Sequence, residues 1–179
     1  MAVEALSYAI DDQDRLIRLD EGFYRFAEEN GWTDVGSSLG RSLWDFVAGE
    51  EVRKLQRMLL RRIRDSVGTV QLPFRCDGPE ASREMDIRIA ADSSGRVVLF
   101  SARMRSEEAW EEPQPLLDPR APRDEDFLPM CAWCDRFLVA GEWVEVEVAA
   151  KRLELFRRSE MPTIDHSICP RCSSILLTA

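Results

Sequence analysis

Apolar positions recur with two distinct periods along the first hundred residues. Tyr8 and Ile10 alternate with polar neighbours ahead of a polar turn at 11–14, and Leu16, Ile17 and Leu19 follow it, which predicts a β-hairpin over residues 6–20. Asp20 then stands where a helix N-cap belongs, Phe23, Phe26 and Ala27 recur at helical spacing, and Gly31 offers a stop. Residues 33–42 are rich in Gly and Ser and predict a loop; residues 43–47 predict a short apolar turn closed by Gly49. Over residues 50–67, Val52, Leu55, Leu59, Leu60, Ile63 and Val67 share one helical face. Glu50 and Glu51 lie at its start and Arg61, Arg62 and Arg64 towards its end, as the helix dipole favours. Gly68 stops this helix. Three strand-like segments follow at 69–76, 83–91 and 97–105. In the second, Met85, Ile87 and Ile89 alternate with Asp86, Arg88 and Ala90, the mark of an antiparallel strand with one solvated face. Two strands, helices and three strands predict an α+β fold: a five-stranded antiparallel sheet with helices on one side.

The pattern changes after residue 106. Pro113, Pro115, Pro119 and Pro122, set among many charged residues, make a poor core and predict a linker over 107–129. Beyond it, residues 137–139 and 143–148 predict a hairpin around Gly141. Residues 151–156 predict a short helix, and 172–177 the start of a terminal one. The expected organisation is a domain over 1–106, the linker over 107–129 and a small module over 130–179.

Composition narrows the function classes. The 179 residues include 45% hydrophobic ones, enough for a buried core. Lys and Arg number 24 against 33 Asp and Glu, a net charge of −9. That balance argues against a general nucleic-acid or anionic-membrane binder, which needs a positive surface. The N-terminal residues lack the cationic and apolar regions of a secretory signal, and no apolar run approaches membrane-spanning length. A cytoplasmic location is expected, and in a reducing compartment paired cysteines read as a metal site rather than as disulfides.

Four of the five cysteines form two pairs, Cys131 with Cys134 and Cys169 with Cys172, each separated by two residues. That spacing lets both sulfurs of a pair face one small cation, and four thiolates suit tetrahedral Zn²⁺ with Zn–S bonds of roughly 2.3 Å. Residues 135–168 lie between the pairs and suit a hairpin that brings the second pair back to the first. A filled four-thiolate site leaves no open position for water, so the expected role of zinc is structural: it supplies folding free energy that fifty-odd residues lack. The alternative reading is a redox switch in which the quartet releases metal and forms disulfides. His166, three residues before Cys169, is a further candidate ligand, but hydrogen-bond donation to a ligating residue or a surface position fits it better.

The element order of residues 6–106 resembles the PAS sensory fold. The resemblance lies in Tyr8-Ala9-Ile10-Asp11-Asp12 with Arg15-Leu16-Ile17-Arg18-Leu19-Asp20, in the Phe23/Phe26 helix, and in Gly40-Arg41-Ser42-Leu43-Trp44-Asp45-Phe46-Val47 ahead of the long helix. The tail is similar to small treble-clef or zinc-ribbon modules. It carries a Cys-x-Trp-Cys knuckle, a hairpin with a Trp, and His-x-x-Cys-Pro-x-Cys leading into a helix, and it resembles a cysteine-rich tail found on some bacterial PAS proteins. The resemblance implies a cytoplasmic sensory or regulatory protein that forms a homodimer and signals through a protein partner. Leu43 stands where light-sensing flavin members carry a reactive Cys. The single His, His166, lies outside the sensory segment, against His-ligated haem there.

Other candidates have plainer readings beside them. Phe23, Phe26, Trp44, Phe46, Leu60 and Phe74 are the positions expected to line a small-ligand pocket, unless they are simply core. Cys76, at a strand end beside Arg75, is either an oxidation sensor or a packed thiol. Arg53, Lys54, Arg57, Arg61, Arg62 and Arg64 form either a nucleic-acid strip, with Lys151, Arg152, Arg157 and Arg158, or a solvated face. Trp133 and Trp143 are expected to cover the metal knuckle. No phosphate loop, nucleophile elbow or convincing carboxylate pair is present, so no enzyme activity is expected. The sequence therefore predicts a PAS-type module that binds a small ligand or protein partner and carries a structural zinc tail.

Overall fold

The computed structural model describes residues 5–178. It is an α+β fold with a PAS-like five-stranded antiparallel sheet. Strands β1 (Ala5–Ile10) and β2 (Leu16–Leu19) form the first hairpin, followed by helices α1 (Glu21–Glu29) and α2 (Glu50–Ser66) and strands β3 (Thr69–Arg75), β4 (Ala81–Ala91) and β5 (Val98–Ala109). The strands lie in the order β2-β1-β5-β4-β3, so the first and last hairpins meet through β1 and β5. Tyr8 pairs with Phe100 across that seam, and their rings stack at 4.4 Å. The sheet face carrying Leu72, Ile87 and Phe100 packs with Leu59, Leu60 and Ile63 of α2. Helix α1 starts where expected, because the Asp20 side chain accepts the Phe23 N–H at 2.8 Å.

The tail departs from the expected organisation. Strand β5 runs on to Ala109, and residues 123–131 form β6 (Arg123–Cys131). Hairpin β7 (Phe137–Val139) and β8 (Glu142–Val144) follows, then α3 (Val146–Arg152), β9 (Met161–Ser167) and α4 (Pro170–Thr178). A second sheet has the order β8-β7-β6-β9, in which β6 and β9 are parallel. The 107–129 segment is therefore packed chain rather than a linker. Leu116 is fully buried, Trp110 Nε1 donates to the Gly78 carbonyl at 2.8 Å, and the Gln114 N–H donates to that of Pro79 at 2.7 Å. The Arg123 guanidinium binds the carbonyls of Leu116, Asp118 and Pro162. These groups satisfy irregular backbone that a free linker would leave to water.

Two further differences have local causes. The strand expected over 143–148 stops at Val144, because Val146, Ala149 and Ala150 lie at helical spacing and are all buried. The short helix expected over 151–156 is the end of α3 and a 3₁₀ turn at Leu155–Arg157. The terminal helix begins at Pro170, a residue suited to the first turn because it has no N–H to leave unpaired.

One hydrophobic core runs through both parts. Ile10, Leu43, Leu60, Leu72 and Phe100 of the first hundred residues share it with Cys131, Trp133, Ile168, Cys172 and Leu176 of the tail. A smaller core, including Leu116, Met130, Phe137, Ala149 and Leu155, sits under the second sheet. Helix α2 is also tied to the tail. Arg62 donates to the Leu177 carbonyl at 2.9 Å, and Glu51 accepts from Ser167 at 3.2 Å. Gly49, with φ +82°, lies so close to the His166 carbonyl that a Cβ would collide with it. No helix among the described residues is long and apolar enough to cross a membrane.

Candidate metal centre

The parallel pairing of β6 and β9 brings the two cysteine pairs together. Cys131 ends β6 opposite Ser167, so Cys169 follows two residues beyond the end of the same ladder. After Cys131 the chain reverses. Asp135 adopts a left-handed conformation (φ +55°), its N–H bonds the Cys131 carbonyl at 2.9 Å, and the Cys131 N–H bonds the Arg136 carbonyl at 2.8 Å. The four sulfurs of Cys131, Cys134, Cys169 and Cys172 all lie within 4.8 Å of one another. In a tetrahedral Zn(Cys)₄ site, bonds of about 2.3 Å place neighbouring sulfurs about 3.8 Å apart. Cys134 and Cys169 are separated by 3.8 Å. The Cys169 N–H points to Cys131 Sγ and the Cys172 N–H to Cys169 Sγ, each at 3.4 Å. Cys131, Cys169 and Cys172 are buried, while Cys134 is partly exposed.

The thiols alone form an unbalanced group. Cys134 donates to Cys131, and with that bond and nearby backbone N–H groups the Cys131 pKa falls to about 5. The same bond holds the Cys134 proton and pushes that thiol far up, and burial adds to the effect. Burial, followed by the negative charge on Cys131, pushes Cys172 up to about 12. One sulfur ionises readily and its neighbours resist, because like charges in a poorly solvated space repel. A divalent cation reverses that order by deprotonating its thiol ligands. The quartet can hold a metal ion.

The centre is fastened to the edge of the PAS-like sheet. Strand β3 is one of the two edge strands, so about half of its backbone groups have no strand partner. Two of these groups are taken by Trp133, between the first two cysteines: its indole Nε1 donates to the Pro73 carbonyl at 2.8 Å, and its own carbonyl accepts the Arg75 N–H at 3.1 Å. The Asp77 N–H continues the seam to Asp135 Oδ2 at 2.8 Å. Arg75 binds Asp77 and Glu145, and Arg136 reaches Glu145 at 2.7 Å. Burial raises the pKa of Asp77, and it pushes Asp135 up to about 7. Trp133 therefore covers the edge of β3 and packs 6.2 Å from Phe74, rather than only capping the knuckle. The sequence signals Trp133 as a cover for the metal; its target is not encoded locally.

The remaining candidates fall in separate places. His166 pairs with Met130 in the second sheet and is outside the ligating group; burial lowers its pKa. Cys76 is half-buried, and burial pushes its thiol up to about 11 despite the Arg83 charge, which opposes a reactive role. Leu60 is in the shared core, and Trp44 packs against it, with its indole Nε1 on Asp14 and Arg57 4.6 Å over its ring. Phe23 meets Tyr8 and Trp32 edge-on, Phe26 lies 6.0 Å from the Arg83 guanidinium, and Phe46 is exposed beneath Arg41. Phe74 lines a cavity of about 260 Å³ shared with Trp133, Cys134 and Cys172. Trp32 lies 6.4 Å from Phe23 and 5.7 Å from Phe46 and so links those two rings, whereas Phe74 stands beside Trp133. Of the basic residues on α2, Arg53, Arg57, Arg62 and Arg64 hold groups of this chain, Arg64 through Asp14 and the Asp11 carbonyl.

No family model matches the chain, and no curated protein matches it. Among solved structures, it is similar to the crystal structure of a sensory box sensor histidine kinase from Vibrio cholerae. That similarity has a TM-score of 0.38 and 8% sequence identity over 60% of this chain and 84% of that one.

Proposed function

We propose that this chain is a non-catalytic sensory or regulatory module in which structural zinc locks a cysteine-rich tail onto a PAS-like sheet. In this reading the sheet side receives a small ligand or a protein partner, and the tail presents the result to a downstream protein. The observation that carries it is the Trp133 seam. The residue held between two metal-ligating cysteines also closes the free edge of β3, so the state of the centre and the state of the sheet are linked. Burial of three of the four sulfurs favours a structural ion over an exposed redox switch.

Zinc is the expected ion because four thiolates in a small tetrahedral space match its ligand preference and leave no position for water. Native mass spectrometry should find one zinc per chain, lost in Cys131→Ser/Cys169→Ser. A folded chain purified without metal would refute the reading. The module is expected to act in the cytoplasm as a homodimer; sedimentation equilibrium tests the dimer, and a monomer at micromolar concentration contradicts it.

A further inference from the structure

The sheet and the tail leave a cavity of about 260 Å³ between them. Phe74 of β3 and Met85 of β4 line it from the sheet, Ile175 of α4 from the tail, and Trp133 from the seam. Phe74 and Ile175 are half-buried, so apolar surface at the margin of the shared core faces this space. The β4–β5 register slips by one residue between Glu84 and Met85, and both residues line the cavity. Bulges of this kind are frequent beside binding sites. A dry cavity of roughly 150 Å³ holds benzene, so this one has room for a second fused ring.

The charges around the cavity disfavour an ionic occupant. Three of the four arginines on its lining already have carboxylate partners: Arg75 binds Asp77 and Glu145, Arg105 faces Asp86 at 3.8 Å, and Arg136 binds Glu145 at 2.7 Å. The fourth, Arg171, lies between Cys169 and Cys172 in the chain, where four thiolates around one divalent zinc leave negative charge for it to offset. The guanidinium groups therefore hold no surplus for an anion, and they repel a cation. An ion of either sign would lose its hydration without gaining a partner. Hydrogen bonding points to a donor instead. Cys134 is the only sulfur of the quartet that is not buried, and it lies on the cavity wall. Sulfurs of this centre accept N–H groups, since those of Cys169 and Cys172 reach Cys131 Sγ and Cys169 Sγ at 3.4 Å.

These features define one class of occupant. Apolar walls suit a flat ring, the Phe74 ring and the Met85 sulfur favour an aromatic one, and Cys134 calls for one N–H donor. We propose that this cavity binds a neutral aromatic compound of one or two fused rings carrying a single N–H donor. The ring lies among Phe74, Met85 and Ile175, and the donor meets Cys134. The inference rests on the reading of a zinc-loaded sensory module and gives the ligand of that module a chemical class. It sets the ligand against Trp133, which joins the centre to the sheet, so occupancy of the cavity and closure of the seam are linked.

The test is NMR titration of the full zinc-loaded chain with indole, read at the Trp133 indole N–H and the Met85 methyl group. Indole should shift both signals in a saturable way. 1-Methylindole, which lacks the donor, should bind about tenfold more weakly, and so should the anion indole-3-acetate and the cation tryptamine. Ile175→Trp fills the cavity from α4 and should abolish the shifts at unchanged zinc content; should that variant lose zinc, Phe74→Trp fills it from β3. The proposal is overturned if indole leaves both signals in place, or if 1-methylindole or either ion binds as tightly as indole. It is also overturned if a filled-cavity variant that keeps its zinc still binds. Native mass spectrometry of the same sample separates the two readings. A chain that holds zinc and ignores indole overturns this inference alone, whereas a chain that folds without metal overturns the zinc module whatever indole does.

Discussion

Trp133→Ala removes a side chain that stands between two cysteines of the centre and covers the edge of the PAS-like sheet. The ring is 8% exposed, so its loss opens a large hole in the shared core, and buried Trp-to-Ala changes cost roughly 3–5 kcal/mol. Trp133→Phe keeps most of the apolar volume but deprives the Pro73 carbonyl of its donor, and losing this part-buried hydrogen bond costs roughly 0.5–1.5 kcal/mol. The first figure is large beside the total stability of about 5–15 kcal/mol typical of a domain. At a urea slope of roughly 2 kcal/mol/M, the alanine variant should unfold about 2 M earlier and the phenylalanine variant about 0.5 M earlier. Far-UV circular dichroism should show one transition moving as a whole, because the indole serves a core that both parts share. Two separated transitions, with sheet signal retained at the parental midpoint, would refute the reasoning. So would an unchanged midpoint in both variants.

Three other outcomes test separate parts of the account. Asp20→Ala should cost about 1 kcal/mol at neutral pH, measured by urea unfolding, because it uncaps α1. Although burial opposes it, hydrogen bonds from Ser7 and Phe23 hold the Asp20 carboxyl below its ordinary value. The ionised cap's contribution is therefore full above the ordinary carboxylate pKa and fades as pH falls through the lower folded value; a difference from the variant that grows in acid contradicts it. Gly49→Ala should destabilise by roughly 1–3 kcal/mol in thermal melts, through the positive φ and the collision with the His166 carbonyl, and a neutral effect would mean that α2 and β9 do not touch there. Cys76 should alkylate more slowly than a free cysteine at pH 8, since burial pushes its thiol up to about 11; rapid single-site labelling by iodoacetamide would overturn this.

The parts of the fold legible in the sequence are those governed by short periods. Met85, Ile87 and Ile89 declare a strand by alternation, and Val52, Leu59, Leu60 and Ile63 declare a helix face, and both lie buried or packed where the pattern puts them. The cysteine spacing likewise brings four sulfurs together. What escaped depends on partners distant in the chain. Strand β6 opens with Arg123-Asp124-Glu125-Asp126 and contains Pro129, and β9 contains Pro162, so both resemble loop until they pair with each other. Val144, Val146 and Val148 fit a strand as well as a helix, and only the burial of Val146 with Ala149 and Ala150 decides between them. Of the aromatic residues grouped as a pocket, Phe46 lies at the surface and Phe74 lies beside Trp133, placements that only distant partners decide. No local pattern tells an indole in a metal knuckle to seek a carbonyl sixty residues earlier.

Hydrogen exchange, followed peptide by peptide before and after zinc is stripped by a chelator under reducing conditions, tests the central claim most directly. The account predicts that β3 and α2 lose protection together with residues 130–178, because the knuckle closes the β3 edge and the tail packs into the core under α2. Loss confined to residues 130–178, with β3 and α2 protected as before, would contradict it and make the tail an independent unit.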